Sequence, residues 1–146
     1  EVISQNPRFQ AYKGEIDLIF TSPPYFAAEG YSTDERQSYI KFPNYDDWRD
    51  GFLEETLKTC VEYLKPGRFL LWNIADINLS GRYFPLESDS YNILKSLGME
   101  YQTTLKMILT GAPSQLKGRG TPSTKNFCSF QNKYRKYEPI FVFRKP

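Results

Sequence analysis

Ser22-Pro23-Pro24-Tyr25 packs hydrogen-bond acceptors and a flat ring into four residues with little conformational freedom. Two successive prolines fix φ and remove two backbone donors, leaving the carbonyls of Ser22 and Pro23 free to accept from a group outside the turn. The Tyr25 ring supplies a stacking face beside those acceptors. Such a turn offers non-covalent chemistry, with acceptors placed next to a surface for a planar group. An ordinary strand stop with a half-buried loop aromatic would use the same residue types.

Composition removes several other chemistries. The chain has no histidine, which excludes Ser-His and Cys-His nucleophile pairs and every His-ligated metal site. Cys60 and Cys128 are far apart, with no second cysteine near either, so neither a zinc ribbon nor a redox pair is supported. Cys60 reads as helix core and Cys128 as a loop residue, in a reducing, cytoplasmic setting. No signal peptide or membrane-length apolar run occurs. At 146 residues, 40% hydrophobic and 25% charged, the chain fits one globular domain.

The elements that must hold the turn can be read from periodicity. Ile16 to Phe20 is an apolar run that reads as a buried parallel strand, and chemistry in open α/β sheets sits at the carboxyl ends of such strands. Residues 26–46 form a long connection, expected to act as a lid with Tyr31, Arg36 and Tyr39 as contacts; a solvated surface loop is the alternative. A helix is predicted from Asp46 or Asp47 to about Leu64, with Trp48, Phe52, Leu53, Leu57, Cys60, Val61 and Leu64 recurring at three and four. Lys65-Pro66-Gly67 should stop it. Arg68 to Asp76 reads as a second buried strand, placing Asn73 and Asp76 at the edge of Ser22 if the strands are parallel; either could order the turn or touch a ligand, and Asp76 could equally cap a helix. A loop through Gly81 and Pro85, a helix from Ser88 to Leu97 and strands near 101–109 and 139–144 complete an α/β fold. The last strand is expected to be antiparallel to the first two, since no crossover helix precedes it.

Charge is distributed unevenly. Net charge is only +2, yet Tyr101 to Tyr137 contains no Asp or Glu while carrying Lys106, Lys117, Arg119, Lys125, Lys133, Arg135 and Lys136. Phe127, Phe130, Tyr134 and Tyr137 are interleaved with these cations. Residues 111–137 therefore read as a basic loop that could track phosphates and stack bases, with a merely solvated loop as the alternative.

Ser22-Pro23-Pro24-Tyr25 resembles the (Asp/Asn/Ser)-Pro-Pro-(Tyr/Phe/Trp) motif of S-adenosylmethionine-dependent amino-methyltransferases acting on nucleic-acid bases. The following helix, Leu64-Lys65-Pro66-Gly67 turn and apolar strand are similar to the segment after that motif in the family, and Glu138-Pro139-Ile140 is similar to the opening of its last strand. The resemblance implies methyl transfer to cytosine N4 or adenine N6 in DNA, with a restriction-modification setting. Ser22, Pro23, Pro24 and Tyr25 would be catalytic: the Ser22 oxygen and Pro23 carbonyl would accept from the exocyclic amino group of a flipped base, and Tyr25 would stack on it. Asp17 and Thr21 would face the cofactor, S-adenosylmethionine. Phe26, Lys117, Arg119, Lys125, Lys133, Arg135 and Lys136 would contact DNA. Ser in the first motif position leans towards cytosine. An RNA-base methyltransferase and a non-catalytic nucleic-acid-binding remnant are the alternatives.

One family feature is missing. The glycine-rich turn that holds the methyl donor has no counterpart here, since Gly118-Arg119-Gly120 follows no apolar strand. The expectation is a partial Rossmann-like class I methyltransferase sheet, its catalytic half only. The donor-binding half would lie upstream, or downstream as in permuted relatives, and this piece alone would bind S-adenosylmethionine poorly.

Overall fold

The computed structural model describes residues 6–28, 33–109, 121–122 and 126–146. In chain order the elements are α1 (Pro7–Gln10), β1 (Ile16–Thr21), a 3-10 turn (Phe26–Ala28), α2 (Ser38–Lys41), α3 (Tyr45–Trp48), a π turn (Arg49–Glu54), α4 (Glu55–Tyr63), β2 (Leu64–Asn73), β3 (Ile77–Leu79), β4 (Arg82–Phe84), α5 (Leu86–Ser96), β5 (Glu100–Ile108), β6 (Thr121–Pro122), β7 (Phe127–Phe130) and β8 (Lys133–Arg144). The main sheet runs β1-β2-β8-β5, with β7 also paired to β8. β1 and β2 are parallel, and β8 is antiparallel to both β2 and β5. The four expected strands and the reversed direction of the last are all present.

The predicted helix exists but is not a plain α-helix. The Asn44 side chain caps its start by accepting from the Asp46 N–H at 3.0 Å, and Asp46 and Asp47 complement the positive end of the helix dipole. The π turn inserts one extra residue, so the buried side chains Trp48, Leu53 and Leu57 fall at spacings of five and then four while staying on one face. At the far end Lys145 Nζ donates to the carbonyls of Val61 and Leu64 at 2.7 and 2.8 Å, satisfying acceptors the helix leaves open. Lys65-Pro66-Gly67 does not follow the helix as a separate stop. It forms an irregular start to β2, where pairing jumps from Ile16↔Leu64 to Leu18↔Phe69 and Gly67 takes φ +79°.

Helices cover one face of the sheet. Leu70, Trp72 and Phe143 point to that face and pack with Trp48, Leu53, Leu57, Leu86 and Leu94 in a single cluster. The Trp72 indole N–H is satisfied inside the core by the Ser90 hydroxyl at 3.1 Å. No described helix covers the other face. Leu18 and Phe20 are 56% and 60% exposed, and Phe69, Leu105 and Met107 lie uncovered on neighbouring strands. The expectation that Ile16 to Phe20 is buried on both faces is thus corrected: among the described residues β1 is an edge strand, and only its Ile19 side packs on the core.

Two short hairpins replace expected loops. Leu79 pairs with Arg82 across Ser80-Gly81, and Phe130 pairs with Lys133 across Gln131-Asn132. All four turn residues have positive φ, the type I′ geometry whose twist matches the flanking strands. The segment read as a basic loop is therefore a β-ribbon over residues 127–137. Residues 110–120 and 123–125, including Gly118 and Gly120, lie outside the described residues. No described helix is long and apolar enough to cross a membrane.

Candidate active site

β1 ends at Thr21, which lies opposite Trp72 in the parallel pair, so the Ser22-Pro23-Pro24-Tyr25 turn leaves the sheet at the carboxyl edge shared with Asn73. Because β8 runs the other way, its residues 138–140 come to that same edge. Asn73 is buried there, its amide donating to the Pro139 carbonyl at 3.0 Å. Chain positions more than a hundred residues apart thereby meet at one strand tip.

Within the turn, Ser22 is exposed, Pro23 is buried, and Pro24 and Tyr25 are half-buried. The buried Pro23 ring and the buried Phe26 ring anchor the turn, while Ser22 faces outward. Tyr25 packs against the core on one side and donates from its hydroxyl to Glu138 Oε2 at 3.2 Å. Glu138 was legible only as part of Glu138-Pro139-Ile140; nothing local to it signals a contact with Tyr25.

Phe26 requires a correction. Expected among the DNA contacts, it is only 5% exposed, and its ring lies 5.3 to 5.5 Å from those of Tyr45, Trp48 and Phe84. Its φ of +48° is costly for a bulky side chain, on the order of 1–2 kcal/mol, and burial of the ring in this aromatic cage offsets that cost. Phe26 anchors the turn from behind. Tyr45, part of the same cage, donates to Asp89 at 2.6 Å; burial, reinforced by that carboxylate, raises its phenol above the ordinary value.

The two cofactor candidates separate. Thr21 is half-buried at the strand tip, next to the turn. Asp17 lies toward the opposite end of β1, exposed and paired with Arg68 at 2.8 Å, so it is removed from the site. Asp76 settles into the capping role. Its carboxylate accepts the Glu87 N–H at 2.8 Å in the first turn of α5 and the Tyr83 hydroxyl, while Glu87 accepts the Asp76 N–H at 3.1 Å and the Asn126 amide at 2.7 Å. This buried junction ties the end of β2 to the base of the β7–β8 ribbon, where the Tyr137 N–H donates to the Asn126 carbonyl.

On the ribbon, the pairs Phe130↔Lys133 and Cys128↔Arg135 put Phe130, Lys133 and Arg135 on one face, with Phe130 and Lys133 exposed. Lys136 is on the other face, where burial lowers its ammonium below the usual lysine value and the Glu138 charge pulls it back up. Lys117, Arg119 and Lys125 lie outside the described residues, as does Tyr31 of the expected lid. Of the other lid positions, Arg36 is exposed and ion-paired with Asp34 at 2.6 Å, and Tyr39 packs against the core. Among the described residues no group of acidic or cysteine side chains could hold a metal ion.

The chain resembles proteins of one kind. It is 36% identical over 90 residues to the type II methyltransferase M.MjaVI of Methanocaldococcus jannaschii, covering 62% of this chain and 43% of that one. It is 28% identical over 156 aligned positions to the type II beta methyltransferase M.BslI of a Bacillus species, covering 97% of this chain and 16% of that one. The fold superposes on TTHA0409, a candidate DNA modification methylase of Thermus thermophilus solved in complex with S-adenosyl-L-methionine, with TM-score 0.58 and 21% identity over 99% of this chain and 52% of that one. The chain thus spans about half of that structure and less of the two sequence relatives. The family model described as DNA methylase matches residues 16–146, nearly the whole chain, and the protein belongs to that N6/N4 DNA methylase family.

Proposed function

We propose that the complete protein transfers a methyl group from S-adenosylmethionine to the exocyclic amino nitrogen of a base extruded from DNA, with cytosine N4 favoured and adenine N6 next. The observation that carries this is the strand tip itself, an exposed Ser22 beside a Tyr25 ring held at two ends. An exocyclic amine is a weak nucleophile because its lone pair is delocalised into the ring. Acceptors at Ser22 and Pro23, aimed at its two N–H bonds, favour the pyramidal form in which that lone pair is available. Tyr25 stacking then fixes the base in place. The type II names of the relatives favour a restriction-modification role in the cytoplasm.

Among the described residues no glycine follows the carboxyl end of a main-sheet strand: Gly14 precedes β1, Gly51 lies in the π turn, Gly67 in β2, Gly81 in a hairpin and Gly98 after α5. S-adenosylmethionine would supply an activated methyl group next to Thr21, held by a donor-binding half of the kind that the relatives' greater length leaves room for. That half would pair with the outer edge of β1 and cover the apolar face around Leu18 and Phe20. The ribbon face of Phe130, Lys133 and Arg135 would meet DNA phosphates.

Ser22→Ala and Tyr25→Ala in the complete protein test the reading. Turnover should fall by about a hundredfold for each while duplex affinity changes little. A non-catalytic binder has no turnover to lose.

A further inference from the structure

We propose that Glu138 is a positioning residue for methyl transfer: its carboxylate holds the Tyr25 ring at the place where it can stack on the base. This rests on the function proposed above. A tyrosine side chain has two soft torsions, and the turn restrains only one end of it. On the backbone side, Pro24 fixes φ before it and Phe26, locked in the aromatic cage, comes after it. The outer end is the hydroxyl, and Glu138 Oε2 receives it at 3.2 Å. Rotation about Cα–Cβ would carry the hydroxyl away from Glu138, while rotation about Cβ–Cγ, which leaves the hydroxyl on its axis, is opposed by the core packed against the ring.

Glu138 is itself firmly placed. As the residue before Pro139 it is biased to extended backbone, and it pairs with Met107 within the β5–β8 ladder. Just beyond it, the Pro139 carbonyl accepts the buried Asn73 amide and the Ile74 N–H. An ionised acceptor also forms a stronger hydrogen bond to a phenol than a neutral one. The carboxylate need not touch the base; it acts through the ring.

The test is a double-substitution cycle in the complete protein, measured by methyl incorporation into DNA. Glu138→Ala and Tyr25→Phe should each lower kcat by about tenfold with the KM for DNA within about twofold, and the double variant should lose no more than either single. Glu138→Gln, whose amide oxygen can still accept, should stay within about threefold of wild type. A fluorescent base analogue at the methylated position should brighten in Glu138→Ala, because a wandering ring quenches it less. Multiplied losses in the double variant, or full activity in Glu138→Ala, would overturn the proposal. Melting temperatures identify a fold defect in Glu138→Ala, in which case the cycle is read with Glu138→Gln, Tyr25→Phe and their combination: unchanged analogue fluorescence throughout also overturns it. Wild-type protein that methylates nothing sinks the functional reading and this inference together, whereas an active wild type with additive variants sinks the inference alone.

Discussion

Ser22 and Phe26 are four residues apart and face opposite ways, and that reversal makes the turn usable. The prolines between them spend no hydrogen-bond donors, Phe26 takes a left-handed φ to drive its ring inward, and Ser22 stays in solvent. Ser22-Pro23-Pro24-Tyr25 stood out as a candidate because its residue types pair two acceptors with a flat ring. The fate of Phe26 was not, because a positive φ on an aromatic is a tertiary outcome that no local pattern announces. Glu138 was hidden for a related reason, since 113 positions separate it from Tyr25 and only the reversed β8 closes that gap. Cys60 did behave as its helical spacing implied: burial pushes its thiol up to about 11 from 9.0. The unfolded thiol ionises from pH 9 while the folded one does not, so the stability it contributes is intact below pH 9 and is lost as pH rises towards 11. Relative to Cys60→Ala, wild type should lose on the order of 2 kcal/mol across that window in urea titrations. Parallel curves for the two would refute it.

Elements were read best where period and caps agree. β1 lies at the predicted bounds, and α5 ends one residue inside its predicted limit, before Gly98 at φ +81°. The two hairpins were missed because Ser80-Gly81 and Gln131-Asn132 lack the Asn-Gly signature, and their short strands give alternation little room. The π turn was invisible in a pattern that tolerates spacings of three, four and five. The buried junction of Asp76, Glu87 and Asn126 joins β2, α5 and the ribbon, and no one of these elements can satisfy its polar groups alone. Asp76→Ala removes a cap and strands a buried N–H, so it should cost about 3 kcal/mol by chemical denaturation. Asp76→Asn retains an acceptor and should cost about 1 kcal/mol. Equal costs for the two would show that the oxygen at this position does not cap α5.

At the scale of the molecule, a sheet that the described helices cover on one face matches a chain that spans about half of the TTHA0409 structure it superposes on. The lack of a glycine-rich turn in the sequence led to the expectation of a half-fold, but the exposed face was disguised, because Leu18 and Phe20 are apolar whether a cover is present or not. Phe20→Asp separates the two situations. In residues 1–146 alone, where Phe20 is 60% exposed, the substitution should change stability by about 0.5 kcal/mol or less. In the complete protein it would bury an unpaired charge and should cost about 3 kcal/mol or more, read from paired unfolding curves. Equal small effects in both would mean that nothing covers this face.

The Ser22 strand tip, on this reading, directs a methyl group to an exocyclic amine. Mass spectrometry of nucleosides from DNA incubated with the complete protein and S-adenosylmethionine tests that most directly. N4-methylcytosine, or N6-methyladenine, is predicted from wild type and about a hundredfold less from Ser22→Ala. Methylation at cytosine C5, or equal yield from Ser22→Ala, would contradict it.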